Sequence, residues 1–179
     1  MTVFSLPRYN KPMADTIEKL EQDYWDEPKF GSQLATTCHE LRKKPIGQFT
    51  ASELRMMIGQ KIGAQYLMPR ALGILESSPL ICATFLEGDL LQAVLRLPTE
   101  YWDNHPNHLA RTLAVTANVL EEIRTTRENN KNEEIRERAR QLRLYGAKLD
   151  PKTPDDYYID IEGKVSEFIE HNGGDHCAL

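Results

Sequence analysis

The chain has 179 residues, 40% of them hydrophobic and 27% charged, and carries a formal net charge of −5. This length is sufficient for one domain with a buried core, and no apolar run reaches the roughly 18 residues that a membrane-spanning helix needs. The acidic residues lie in blocks that leave no continuous basic face, which argues against direct binding of nucleic acid.

The N-terminal part of the sequence predicts two short helices. Asp15 can cap the first helix, which must end before Pro28. Ser32 begins the second helix, and Pro45 ends it. Each helix presents an apolar face at helical spacing, made of Ile17, Leu20 and Tyr24 in the first and of Leu34, Cys38 and Leu41 in the second.

A capping box and two glycines mark the next pair of helices. Thr50 and Glu53 stand three residues apart, so each side chain can bond the backbone of the other at a helix start. Gly59 and Gly63 weaken this helix and should end or bend it. A further helix is expected over about 64–76. It contains Pro69, so it either starts near that proline or carries a kink.

The remainder of the chain also favours helices. Gly88 and Asp89 can cap a broadly apolar helix that Pro98 ends. The sequence then predicts a single turn at 99–102 and a long helix from Asn107. The inward face of that long helix is expected to comprise Leu109, Leu113, Ala117, Leu120 and Ile123.

Two more helices are expected, at 133–145 and from Pro154 onward, and a short strand at 157–161 is the less favoured alternative. The expected fold class is therefore all-α, an irregular multi-helix domain of about seven to nine helices.

Polar residues embedded in apolar context need partners. Arg42, Arg55, Gln60 and Asp89 interrupt otherwise apolar helices, and a buried arginine must pair or extend its charged end to solvent. We expect Asp89 to pair with Arg55 or Arg42 and so fix the register of the helices. The alternative is that these residues line a groove that binds a partner.

The sequence contains no motif for catalysis. It lacks G-x-S-x-G, H-E-x-x-H, paired C-x-x-C and a phosphate-binding glycine loop. His105 and His108 have a spacing that zinc could use, but no further ligand pair accompanies them. We therefore expect no enzyme activity, no catalytic residues, no metal and no cofactor.

The cysteines and the N-terminus indicate a cytoplasmic protein. Cys38 and Cys82 lie among apolar residues and are expected to be inert buried thiols, and with Cys177 they match no disulfide spacing. The first ten residues lack the basic start and apolar core of a signal peptide.

The charge varies in blocks along the chain. The net charge is −3 over residues 1–40, +5 over 41–75, −4 over 76–110, +2 over 111–150 and −5 over 151–179. Acidic blocks of this kind suit a basic protein partner, whose approach they would accelerate. A solvated acidic surface with no partner is the simpler interpretation of composition alone.

Several runs, arriving in order, resemble the immunity proteins of bacterial contact-dependent growth inhibition (CDI) systems. The runs are LEQDYW at 20–25, CHELRKKP at 38–45, LRMMIGQKIG at 54–63, LMPRAL at 67–72, GDLL at 88–91 and YW at 101–102. The resemblance implies a small cytoplasmic protein, encoded beside a large exported toxin, that binds and blocks the toxin's C-terminal domain. That domain is often a nuclease with a basic substrate face.

The resemblance also implies roles for shared residues, none of them catalytic. Gly59 and Gly63 would allow close packing, Pro69 would bend a helix, and the aromatic residues Tyr24, Trp25 and Trp102 would lie in the core. The acidic residues that we expect to contact the toxin are Asp23, Asp26, Glu27, Glu87, Asp89, Glu100 and Asp103. The acidic segment 155–170 is the alternative surface.

The expected domain organisation is an N-terminal extension at 1–14 and a single helical immunity domain at 15–179. Within that domain the family-like part covers about 15–105, a further helical part about 106–172, and a frayed tail 173–179. A helical adaptor that binds another cellular protein is the alternative function, and a helical metal-dependent enzyme is a third.

Overall fold

The structure is a computed structural model that describes residues 14–28, 31–84, 86–129 and 154–172, with side chains described outside 126–129 and 154–160. Within these ranges the chain forms eight α-helices and no strand, which confirms the all-α prediction. The α-helices are α1 (Ile17–Glu21), α2 (Gln33–Arg42), α3 (Ala51–Gly59), α4 (Ala64–Ser77), α5 (Asp89–Leu95), α6 (Thr99–Asn104), α7 (Pro106–Asn129) and α8 (Pro154–Asn172). A 3-10 helix, Ile46–Gln48, joins α2 to α3.

Short-range capping bonds set several of these boundaries, as the sequence predicted. The Ser32 side chain accepts a hydrogen bond from the amide of Ala35 at the start of α2. Both bonds of the capping box between Thr50 and Glu53 are present at the start of α3. Both caps join groups three residues apart, so they depend on local sequence alone.

The first helix begins and ends differently from the prediction. Thr16, not Asp15, is its N-cap, because the Asp15 carbonyl instead accepts the amide of Ile46. The helix ends at Glu21, since Gln22 adopts the left-handed conformation with φ of 53°. Tyr24 therefore lies beyond the helix, and the prediction that it shares a face with Ile17 was wrong.

Gly63 forms the junction between α3 and α4. Helix α3 ends at Gly59, and Gly63 then caps α4 with φ of +61°. A Cβ atom on Gly63 would lie 2.8 Å from Cδ1 of the fully buried Ile17. Both the backbone angle and the close approach require glycine here. Helix α4 continues through Pro69 to Ser77, so the proline does not mark its start.

The core is formed by α3, α4 and α5, with α7 and α8 packed against them. Helix α3 contacts both α4 and α5, α7 contacts α4, and α8 contacts α5 and α7. Trp102 of α6 is buried and packs edge-on against Phe168 of α8, with ring centroids 5.1 Å apart. This confirms the prediction of a core role for Trp102.

Helix α7 buries the predicted face only in part: Leu109 and Ile123 are buried and Leu113 and Leu120 are half-buried, but Ala117 is not in the core and two threonines are. Ala117 is exposed, while Thr112 and Thr116 are fully buried. Their hydroxyls donate to backbone carbonyls of the same helix, from Thr112 to His108 at 2.8 Å and from Thr116 to Leu113 at 2.7 Å. These internal bonds satisfy the hydroxyls and allow threonine to occupy the core face.

The structure also tests the predicted strand at 157–161 and the predicted burial of two cysteines. Helix α8 covers 157–161, so the strand alternative was wrong. Cys38 is buried as predicted, but Cys82 is exposed, because it lies in the irregular segment between α4 and α5. The predicted helix at 133–145, Cys177 and the tail lie outside the described residues. In the part of the chain that the structure describes, no helix is both long and apolar enough to cross a bilayer.

Candidate functional site

An exposed loop of aromatic and acidic residues, 22–28, follows α1. Tyr24 is 66% exposed and Trp25 is 42% exposed, so the prediction that they are core aromatics was wrong. Asp23, Asp26 and Glu27, three of the acidic residues expected to contact a partner, are exposed in the same loop. The loop thus combines large apolar side chains with negative charge.

Arg42, near the end of α2, holds this loop in place. Its buried guanidinium pairs with Glu21 and donates to the Asp23 carbonyl at 2.7 Å and to Asp23 Oδ2 at 3.2 Å. The same guanidinium lies 4.1 Å from the centroid of the Trp25 ring, in cation–π contact. The Trp25 indole N–H donates to Asp23 Oδ2 at 2.8 Å. These contacts fix the orientation of Trp25 although its ring remains exposed.

Two further side chains of α2 bind the loop. His39 bonds the Trp25 carbonyl through Nε2 at 3.2 Å, and Lys43 donates to Glu27 at 2.8 Å. The hydrogen bond from Lys43 holds the pKa of the Glu27 carboxyl below its usual value. Glu27 is therefore charged at neutral pH and adds to the negative charge of the loop.

A groove of about 320 Å³ opens beside Trp25. Its apolar lining comes from the loop, from α2 and from the junction between α3 and α4, and includes Trp25, Pro28, Leu34, Ala35, Cys38 and Ile62. Leu34 was predicted to face the core but is exposed, because α2 directs it towards this groove. An apolar groove bordered by charged residues is the kind of surface on which protein partners dock.

The remaining acidic residues that were expected to contact a partner are distributed over other elements. Glu87 is exposed just before α5, and Glu100 and Asp103 are exposed on α6. Asp89 is buried, which makes it unsuitable as a contact residue: its carboxylate accepts the amides of Ala83 and Thr84.

Asp89 instead has the structural role that its apolar context predicted. Its Oδ2 lies 3.1 Å from Nε of Arg55 on α3, so the expected pairing with Arg55 is confirmed. Arg42, the other expected partner, is engaged by Glu21 and Asp23. Gln60, also expected in this network, is exposed at the end of α3.

The histidines of the H-x-x-H motif form an aromatic stack. His105 and His108 stack with Tyr101, and the two imidazole rings are 5.3 Å apart. Nδ1 of His108 bonds the Tyr101 hydroxyl at 2.8 Å, and Nδ1 of His105 bonds the Tyr101 carbonyl at 2.7 Å. Burial lowers the pKa of His108 to about 4, so the ring is neutral at neutral pH. The motif therefore serves packing.

Sequence reasoning missed the surface role of Tyr24, Trp25 and Leu34 and the positioning role of His39, Arg42 and Lys43. One signal was available, since Tyr24 and Trp25 stand between Asp23 and Asp26, and such dense charge next to aromatic residues favours a surface position. The basic residues at the end of α2 were a second signal, because their positive charges complement the acidic residues of the loop.

Comparison with known proteins identifies a family for this chain. A family model described as CDI immunity proteins matches residues 19–112, which is more than half of the chain. The matched segment contains the loop 22–28, helices α2 to α6 and the first turns of α7. Searches of curated proteins and of solved structures find no match.

Proposed function

Since the chain belongs to the family of CDI immunity proteins, we propose that it binds its cognate toxin through the loop 22–28 and the groove beside α2. The toxin domain that we propose is the C-terminal domain of an exported protein, with nuclease activity and a basic substrate face. Binding occludes that face in the cytoplasm and needs no chemistry of the immunity protein's own.

The observation that carries this proposal is the fixed, exposed ring of Trp25. Binding energy in protein interfaces concentrates in a few residues, with tryptophan, tyrosine and arginine enriched among them. A side chain held in place before binding loses little conformational freedom in the complex. Arg42 and Asp23 hold Trp25 in this way, and Tyr24 and Leu34 add apolar area beside it.

The charge of the loop supports a basic partner. Asp23, Asp26 and Glu27 surround the aromatic pair, and complementary charge raises association rates. A nuclease must attract phosphate, so its substrate face is positive and would be drawn to these carboxylates. A stable complex would bury about 1,600 Å² in total, enough to cover such a face.

We expect Trp25→Ala to weaken the complex with the toxin domain encoded next to this protein by about 2 kcal/mol, or roughly thirtyfold in Kd. Isothermal titration calorimetry measures this change. Leu86→Ala is the matched control, because Leu86 is also 42% exposed but lies outside the loop. Equal effects of the two substitutions would contradict a binding site at Trp25.

We expect Asp26→Lys to slow association roughly three- to tenfold at low ionic strength, with the difference shrinking as salt is added. Stopped-flow fluorescence gives the rate. Glu167→Lys makes the same charge change on α8, within the alternative acidic surface, and should leave the rate unchanged. Slower association for Glu167→Lys and an unchanged rate for Asp26→Lys would indicate that the binding site lies on α8.

Protection of growth tests the function itself. Cells that produce the neighbouring toxin domain should survive only when this protein is also produced, and their DNA or RNA should then remain intact. Failure of protection would favour the adaptor role, and protection against a toxin that leaves nucleic acid intact would overturn the nuclease assignment.

A further inference from the structure

His39 is a buried histidine with one defined hydrogen bond. It is 3% exposed, and its Nε2 lies 3.2 Å from the Trp25 carbonyl. A carbonyl oxygen only accepts, so Nε2 carries the proton of this bond. In the neutral imidazole, Nδ1 therefore presents a lone pair.

That lone pair faces two carboxylates. Nδ1 is fully buried and has no hydrogen-bond partner among the described residues. It lies 3.9 Å from Oε2 of Glu27 and 3.8 Å from Oε1 of Glu40. Three acceptor atoms that face one another are unfavourable unless a hydrogen-bond donor or a positive charge lies between them.

We propose that His39, Glu27 and Glu40 bind a divalent transition-metal ion such as zinc. Their three ligand atoms lie within 4.8 Å of one another. A tetrahedral zinc ion holds its ligand atoms about 3.4 Å apart, with bonds of about 2.1 Å. Both glutamate side chains are exposed and have room to close this small difference, whereas the histidine is fixed.

The surroundings of the three ligands suit a metal site. Metal-binding histidines commonly donate their other ring N–H to a carbonyl, as His39 does to Trp25. Lys43 holds Oε1 of Glu27 at 2.8 Å and leaves Oε2 directed towards His39. Three protein ligands leave a fourth position for water or for a donor atom of a partner.

The site would join the loop 22–28 to helix α2. Glu27 comes from the loop, while His39 and Glu40 are adjacent on α2. A bound ion would therefore hold the loop in place next to Trp25. The proposal does not depend on the identity of the toxin, and its test uses this protein alone.

Titration of the full-length protein with zinc chloride, followed by calorimetry, tests the site. We expect Glu27→Gln/Glu40→Gln to weaken zinc binding at least tenfold. Glu100→Gln/Glu167→Gln, with the same loss of charge at exposed positions elsewhere, should bind as the wild type does. All four substitutions are at exposed positions, so thermal unfolding should confirm that both variants fold.

The imidazole nitrogen gives a second readout. In ¹⁵N NMR spectra, the Nδ1 resonance of His39 should shift on addition of zinc in the wild type and not in Glu27→Gln/Glu40→Gln. Unchanged affinity in that variant would place the zinc elsewhere on the chain and overturn the proposal. No binding by the wild type would also overturn it.

Discussion

Asp89→Ala is expected to lower the free energy of unfolding by about 3 kcal/mol. Asp89 is buried at the start of α5, where it accepts two backbone amides and pairs with Arg55. Removing one partner of a buried ion pair costs about 3–5 kcal/mol, and the 34% exposure of the Arg55 side chain places this case at the lower end. Such a loss is a large part of a typical domain's stability.

Urea unfolding followed by tryptophan fluorescence measures this change. Asp89→Asn should lose less, because the amide keeps the shape and one acceptor oxygen but loses the charge. Glu100→Ala removes an exposed carboxylate from α6 and should change stability by at most about 0.5 kcal/mol. A decrease of less than about 1 kcal/mol in the free energy of unfolding for Asp89→Ala would contradict the structural role of this buried carboxylate.

Gly63→Ala and Gly73→Ala are expected to change stability in opposite directions. At Gly63 the left-handed backbone costs an L-residue about 1–2 kcal/mol, and the new Cβ would overlap the buried Ile17, which adds about 1–3 kcal/mol. We therefore expect Gly63→Ala to destabilise the protein by about 2–5 kcal/mol.

Gly73 is the matched control, since it lies inside α4 with no atom within 4 Å of an added Cβ. Alanine is favoured over glycine inside a helix by about 1 kcal/mol, so Gly73→Ala should stabilise the protein. Chemical denaturation of both variants gives the comparison. If the Gly63→Ala variant were as stable as the wild type, α1 would not pack closely against this junction.

Two of the helix starts that local bonds set could be predicted from the sequence, whereas the start of α1 was predicted one residue too early and helix faces were predicted only in part. The caps at Ser32 and Thr50 connect groups three residues apart, so the sequence alone specifies them. On α7, apolar spacing correctly predicted that Leu109 and Ile123 are buried, but it missed Thr112 and Thr116, whose hydroxyls are satisfied within the helix.

The candidate site depends on contacts that sequence spacing does not reveal. Arg42 is 17 residues from Trp25 along the chain, and only the fold places its guanidinium under the indole ring. The need of Asp89 for a basic partner was predictable from its apolar context. Asp89 pairs with Arg55 and not with Arg42, because Glu21 and Asp23 already engage Arg42. The positions of these two acidic residues depend on where α1 ends.

The short first helix affects how the binding surface could be mapped by deletion. Ile17 lies fully buried beneath Gly63, and Thr16 forms a bridge with Pro45. N-terminal truncation that extends past residue 16 would remove a core side chain before it reached Trp25. A shortened protein that no longer protects cells would then report a folding defect, so point substitutions on the intact chain are the sounder way to map toxin contacts.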